Sequence, residues 1–401
     1  MGNSYVRIGV RAGALVGGLL LAAAGWSAPP PAVLEYRHHM FDPPIMTLAN
    51  RTIELMFDTV RVEPGPGTWK LPRKPTTLDF TYEFDGKAHQ ASEALENTYT
   101  DALLILKNGV IVYENYLNRS DERAHFMSYS MAKSLNSVML GFAIQDGYVK
   151  SVAEPITNYV PELKGTAYDG ATLRDVLQMR SGTAWDDNFF QPGPAKDINE
   201  LAFMRGEARF VSAASWPKRA HAPGEVFNYN TVDAALIGLV VERAAKRPIS
   251  RYMAERLWKP AGMESYAFYI LDGPPGEGRE FTGGGFNAVL RDYGRIGLMM
   301  AQHGVANGRQ LLAPAWVKES TTPPSTPSGR SEEGLGYAYL WWTFDDSRAY
   351  TALGGEGQFV FVDAETQTVI VKLSHAPVGA EGRRVSAETY AFLKAASKWK
   401  P

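Results

Sequence analysis

The run Ser128-Tyr129-Ser130-Met131-Ala132-Lys133-Ser134 places a hydroxyl and an amine three residues apart, where an apolar helical pattern begins. Residues at i and i+3 share one face of a helix. Ser130 Oγ and Lys133 Nζ can therefore meet near a helix N-terminus, where free backbone N–H groups and the positive end of the dipole favour an oxyanion. These residues could supply a nucleophile, a proton acceptor and part of an oxyanion hole. The plainer reading of the same residues is an N-capping hydroxyl followed by a solvated lysine. Ser-x-x-Lys is also a cheap pattern, since Ser215-Trp216-Pro217-Lys218 fits it too. There Pro217 lacks an N–H and would disturb a helix interior, so that copy reads as loop.

Two further segments combine polar chemistry with turn signals. Pro223-Gly224-Glu225-Val226-Phe227-Asn228-Tyr229-Asn230-Thr231 leads into the apolar run Ala234–Val241, which puts Tyr229 at a turn before a helix. Gly354-Gly355-Glu356-Gly357-Gln358 leads into a strand, and glycines there let a ligand or another backbone approach closely. After the Arg180-Ser181-Gly182 turn, Trp185, Asp186, Asp187, Phe189 and Phe190 mix aromatic with polar groups, as walls of a substrate cleft do. A surface loop with one buried aromatic would read the same way.

Several elements must position these groups. Ala102–Leu106, the turn Lys107-Asn108-Gly109 and Val110–Tyr116 read as a β-hairpin. Met131, Leu135, Val138, Met139, Phe142 and Ala143 recur at helical steps, and Gly147 stops the run. Shorter helices are expected at 172–179, 231–245 and 250–257, and strands at 337–344, 358–362 and 368–374, before a final amphipathic helix over about 386–399. Gly/Pro-rich stretches at 273–285 and 322–336 read as surface loops. Strands at both ends with helices between predict an α+β fold. One sheet is drawn from the N- and C-terminal parts, with a mostly helical region inserted at about 125–290. Residues 29–100 are Pro-rich and weakly periodic, which predicts an extended lead-in packed on a domain running from 101 to 401.

Composition narrows the function. The 401 residues are 45% hydrophobic and 21% charged with net charge −2, ordinary globular values that give no argument for a nucleic-acid partner. There is no phosphate-cradling glycine loop and no His-Glu-x-x-His, and the seven histidines are scattered apart from His38-His39, so neither a cofactor nor a metal is expected. The absence of cysteine excludes thiol catalysis and disulfides. Arg7 and Arg11 precede the apolar run Ala12–Ala24, followed by small residues and Pro29-Pro30-Pro31. That order predicts a secretory signal over 1–28 and an exported bacterial protein, periplasmic or secreted, with no membrane association after cleavage. An uncleaved anchor is the alternative, although the run is shorter than the ~20 residues a span needs.

Taken together and in this order, the Ser-x-x-Lys, Tyr229 and glycine-turn segments resemble the serine β-lactamase and penicillin-binding protein superfamily. The likeness is nearest to its class C β-lactamase, esterase and 6-aminohexanoate-dimer hydrolase branches. Tyr159-Val160-Pro161-Glu162-Leu163 and Leu173-Arg174-Asp175-Val176-Leu177 support it. The resemblance runs from about residue 102 to His375 and implies a β-lactamase/transpeptidase-like fold. It makes Ser130 the acylated nucleophile, Lys133 its amine partner and Tyr229 the proton shuttle, with the Gly355 N–H joining that of Ser130 in the oxyanion hole. Two departures stand out. The Tyr-x-Asn motif reads Tyr229-Asn230-Thr231, so its amide is replaced by a hydroxyl or displaced to Asn230, which would then face substrate. Ala352-Leu353-Gly354 stands where lactam-processing relatives carry a lysine for the substrate carboxylate. Losing such a charge-assisted hydrogen bond costs ~1.5–3 kcal/mol.

The expected function is a serine hydrolase of small amides or esters acting through a Ser130 acyl-enzyme, with an aminohexanoate-type oligoamide as one candidate substrate. Either Lys133 or a Tyr229 phenolate could activate Ser130. Trp185 and Asp187 are expected to touch substrate, and His375, after the last core strand, to orient Tyr229. A β-lactamase or D,D-peptidase is the alternative within enzymes. A non-turnover binder or sensor on the same fold is the alternative outside them.

Overall fold

The Thr100–Lys107 and Val110–Tyr116 strands form the expected hairpin, with Asn108 and Gly109 both at positive φ in its turn. A computed structural model describes residues 29–324 and 334–401. The stretch read as a secretory signal, and most of the 322–336 segment, lie outside these residues.

The hairpin edges a seven-stranded antiparallel sheet. Its order is Gly336–Tyr337, Trp342–Thr343, Tyr350–Gly354, Gln358–Asp363, Thr368–Ser374, Thr100–Lys107, Val110–Tyr116. The join between the two ends of the chain lies at its centre, where Val371 faces Leu104 and Ile370 faces Ile105. Side chains alternate across a strand. Leu104, Val360 and Val369 thus turn to one face, where the Leu290–Ala301 helix packs closely enough that Gly294 and Gly297 have no room for a side chain. On the other face Phe359 meets Tyr390 of the Ala380–Lys398 helix edge-on, and Lys107 Nζ donates to the Ala396 and Ser397 carbonyls at that helix's C-terminal end. Both faces are covered, so the central strands are apolar almost throughout.

The helical region lies between these strands in sequence. The Met131–Gln145 and Thr231–Ala245 helices pack against each other, joined by Asn136 Nδ2 donating to the Ala234 carbonyl at 2.8 Å. A second, four-stranded sheet of Thr59–Val62, Ala267–Ile270, Phe286–Val289 and His125–Met127 delivers the chain to Ser130.

Three local expectations are corrected. Residues 29–100 are not extended; they form helices Pro31–His39, Pro43–Ala49 and Ile53–Met56, an edge strand of the second sheet, and the hairpin Thr81–Gln90. Prolines at the first helical positions of Pro31–His39 and Pro43–Ala49 start helices rather than break them. Residues 337–344 are two short strands around a tight turn with Leu340 at φ +61°. In the 273–285 stretch, residues 282–285 are buried rather than exposed.

Gly297→Ala should cost about 1–3 kcal/mol in denaturant unfolding, because an added Cβ would lie 2.5 Å from Val369 Cγ1 and 2.9 Å from Val360 Cγ1.

Candidate active site

Ser130 stands at the head of the Met131–Gln145 helix, yet its hydroxyl caps nothing. Instead Oγ lies 2.7 Å from Lys133 Nζ, one turn along the same face. The preceding residue, Tyr129, sits at φ +44°, a strained setting for a bulky side chain. It is held by its hydroxyl donating to Asn50 Oδ1 at 2.6 Å and by Ser128 N–H donating to the Phe286 carbonyl at 2.8 Å.

Lys133 is 2% exposed, and its amine also donates to the Gly283 carbonyl at 2.8 Å. Burial pushes it down to about 8, opposed by the charge of Asp187. Lys133 Nζ lies 5.2 Å from the centroid of the Tyr229 ring, and Tyr229 lines the same cavity as Ser130. Burial, then Asp187, raise Tyr229 well above the ordinary phenol range, so it stays a neutral acid. The ring stacks on Trp342 at 5.5 Å and meets Tyr337 edge-on at 6.2 Å. Its neighbour Asn228 anchors the turn, donating to the Thr183 and Trp185 carbonyls.

The glycine turn closes the other side. A Cβ on Gly354 would lie 2.2 Å from the Ser128 carbonyl and 3.2 Å from Ser130 N, so only glycine lets this strand end reach the Ser130 turn. That approach sets Gly355 beside Ser130. Neither the Ser130 nor the Gly355 N–H has an acceptor among the described residues.

Ser130, Lys133, Tyr229 and Gly355 therefore share one cavity of about 600 Å³. Asp187, Phe189 and Phe190 line it as well. Asp187 is fixed by three donors: Trp185 Nε1 at 2.8 Å, Thr231 N–H at 2.8 Å and the Thr231 hydroxyl at 2.7 Å. The hydroxyl in the amide's place in Tyr-x-Asn is thus occupied in holding a carboxylate. Burial raises Asp187, opposed first by the nearby Lys133 cation and then by these hydrogen bonds.

Three expected site residues stand elsewhere. Trp185 is buried and does not line the cavity; it positions Asp187. Asn230 is wholly buried, capping the Thr231–Ala245 helix through Val232 N–H while its amide donates to Asp233, Thr183 and Tyr168. His375 does not touch Tyr229. It bonds Asp101 at 3.0 Å and meets the Tyr99 ring edge-on, because the strand carrying it ends on the side of the N-terminal segment.

Other groups in the site had no local sequence signal. The Gly283 carbonyl belongs to a stretch that reads as a surface loop. Phe41, between the first two helices, packs edge-on to Phe190 at 5.3 Å and lies 6.1 Å from Tyr129, so the segment before residue 100 helps wall the cavity.

The model of one family, Beta-lactamase, matches residues 92–394. The chain belongs to the β-lactamase family. A 6-aminohexanoate-dimer hydrolase from Paenarthrobacter ureafaciens is 27% identical over 312 residues, spanning 71% of this chain and 75% of the relative. Among solved structures, a Bacillus anthracis protein provisionally named 6-aminohexanoate-dimer hydrolase matches with TM-score 0.79 at 21% identity, over 90% of this chain and 95% of that one. A D-stereospecific amidohydrolase from Streptomyces matches with TM-score 0.55 at 15% identity, over 74% of this chain and 96% of that one. This β-lactamase-family chain is thus a hydrolase of the superfamily, with the α+β transpeptidase-like architecture.

Asp187→Asn removes the negative charge that holds the Lys133 ammonium. The titration midpoint of Lys133, followed by NMR of isotope-labelled lysine, should fall below its wild-type position near 8. An unmoved midpoint would show that the two groups are not coupled, and a raised one that the Asp187 charge does not favour the ammonium.

Proposed function

We propose that this chain hydrolyses a small amide or ester through an acyl-enzyme on Ser130. The observation that carries the reading is the 2.7 Å approach of Ser130 Oγ to a buried amine pushed down to about 8. Near neutral pH a useful fraction of Lys133 is then uncharged, with a lone pair facing the hydroxyl. Tyr229 is raised, so the phenolate alternative needs far more energy. Lys133 is thus the acylation base.

In this mechanism Lys133 takes the Ser130 proton as Oγ attacks the carbonyl carbon. The oxyanion forms between the Ser130 and Gly355 N–H groups, which have no acceptor to give up. The carbon–nitrogen or carbon–oxygen bond then breaks, and Tyr229 gives its proton to the leaving atom while the Lys133 ammonium replaces it. Water, losing a proton to the same pair, attacks the acyl-enzyme; the bond to Ser130 Oγ then breaks, the pair returns that proton to Oγ, and the acid is freed. A cavity of about 600 Å³ suits a small molecule. The named activity of the Paenarthrobacter relative supports a linear oligoamide as the amide in question. Leu353, in the strand that carries a lysine in lactam-processing relatives, argues against lactams. An export signal over 1–28 would place this hydrolysis outside the cytoplasm.

Ser130→Ala should lower turnover of an activated short-chain ester at least about 10³-fold. Intact-mass analysis after a brief exposure to substrate should find the acyl group on Ser130 in the wild type and nowhere in the variant. An adduct on another residue would end the proposal.

Gly355 offers a separate test. Its predecessor Gly354 has φ −125° and ψ 156°, the extended setting a residue before proline adopts. Gly355→Pro removes the N–H and should lower kcat by about 10²–10³. Gly355→Ala, whose Cβ meets nothing within 4 Å, should retain most of it.

A further inference from the structure

The cavity that holds Ser130 is lined by three carboxylates, and two already have partners. Asp187 accepts from Trp185 and twice from Thr231. Glu200 accepts from Arg205 at 3.4 Å. Glu356 is different. It lines the cavity, and its Oε2 is buried with no hydrogen-bond partner among the described residues. No cation pairs with it there; the basic groups on the cavity wall, Arg37, His38, Lys133 and Lys196, come from other elements and none makes an ion pair with it among the described residues.

The backbone holds this carboxyl where it is. Glu356 occupies the left-handed region, φ 58° and ψ 22°, which a glutamate seldom adopts. Its carbonyl accepts from Ala376 N–H at 3.0 Å and from Gln358 Nε2 at 3.1 Å. It directly follows Gly355, so the side chain departs from the rim of the oxyanion site. Tyr129, packed against Phe41, lies near enough for the carboxylate charge to act on its phenol. A desolvated acid beside aromatic rings is a receptor for a cation. A multiply liganded metal is less suited, since the described residues hold no group of three ligating side chains.

We propose that Glu356 binds an ammonium group of the substrate, so that the pocket selects amine-bearing esters and amides over neutral or carboxylate-bearing ones. This deepens the hydrolase reading and rests on it. Burial pushes the empty Glu356 carboxyl up to about 8. An arriving ammonium favours its ionised form, and the displaced proton leaves to solvent. The selectivity is then the reverse of that expected where a lysine near this turn receives a carboxylate.

The test is competition against p-nitrophenyl butyrate, a neutral ester, by three six-carbon probes: hexylammonium, hexan-1-ol and hexanoate. In the wild type, hexylammonium should inhibit about tenfold or more better than hexanol, with hexanoate weakest, as one charge-assisted hydrogen bond predicts. Glu356→Gln should bring hexylammonium to within about threefold of hexanol. The inhibition ratio within each protein is the readout, so a partial loss of activity in the variant does not disturb it. A wild type without ammonium preference, or a preference that survives in Glu356→Gln, overturns the proposal. If the butyrate ester is not hydrolysed, or is hydrolysed equally by Ser130→Ala, the hydrolase reading has failed instead. A second comparison pairs p-nitrophenyl 6-aminohexanoate with p-nitrophenyl hexanoate, and hexanoate esters of 6-aminohexanol with those of hexanol. A wild-type kcat/KM preference for the amine in one pair, lost in Glu356→Gln, supports the proposal and tells which side of the scissile bond the ammonium occupies. Equal rates within both pairs oppose it.

Discussion

A lysine amine kept out of water is the constraint on which the site depends. An ammonium in bulk water holds its proton far too tightly to take one from a serine. Burying it lowers that hold but leaves a charged donor that must be satisfied. The fold meets both demands with two acceptors, Ser130 Oγ and the Gly283 carbonyl, and the face of Tyr229 nearby. Each acceptor comes from a different part of the chain. Ser130 lies on the lysine's own helix, Gly283 on the buried segment entering the Phe286–Val289 strand, and Tyr229 on the turn before the Thr231–Ala245 helix. The packing of those elements is therefore also the tuning of the amine.

Asp187 works against this tuning, and its position shows what it does instead. Its charge raises both Lys133 and Tyr229, which disfavours the neutral amine and any phenolate. In return, the carboxylate accepts the Thr231 N–H at the N-terminus of a fifteen-residue helix, where negative charge is stabilised. Lys133 and Tyr229 thus divide the work by environment. In the proposed mechanism the amine is lowered into the range of a base, while the phenol is kept a weak acid that can pass a proton on without losing it to solvent. Their closeness makes the proton a property of the group rather than of one residue.

Legibility in the sequence followed how local the determining interaction was. Ser130 and Lys133 could be read together because three residues on a helix is a fixed geometry. The strands at both ends predicted the central sheet because their apolar runs are continuous. Tyr229 was found through its motif and its turn. Asn230 was misread because a polar residue before a helix can turn inward to cap it or outward to a ligand, and only packing decides; here it caps. Trp185 sits two residues from Asp187, but its indole N–H points at that carboxylate rather than at the cavity. For His375, strand-end position fixed the backbone and not the partner, which proved to be Asp101 from the opposite end of the chain. Phe41 and the Gly283 carbonyl carry no pattern at all, since an aromatic in a Pro-rich segment and a glycine carbonyl acquire a role only through long-range contacts.

The glycine turn shows how a shared fold can change the substrate it prefers without moving its chemistry. Gly354 is fixed by contact with the Ser128 carbonyl, and Gly355 by its free amide. In the proposed mechanism both serve the reacting carbonyl, which every amide and ester presents. The flanking positions 353 and 356 meet no such demand. Leu353 offers no charge, and Glu356 offers a carboxyl that an arriving cation would ionise. Substituting at these two positions alters the potential along the cavity while leaving the proposed nucleophile, base and oxyanion donors in place. Because a buried carboxylate without a partner is costly, the ammonium proposed as its ligand would relieve it. On the proposed reading, the electrostatics of the rim, more than the catalytic centre, carries the information about what this hydrolase takes.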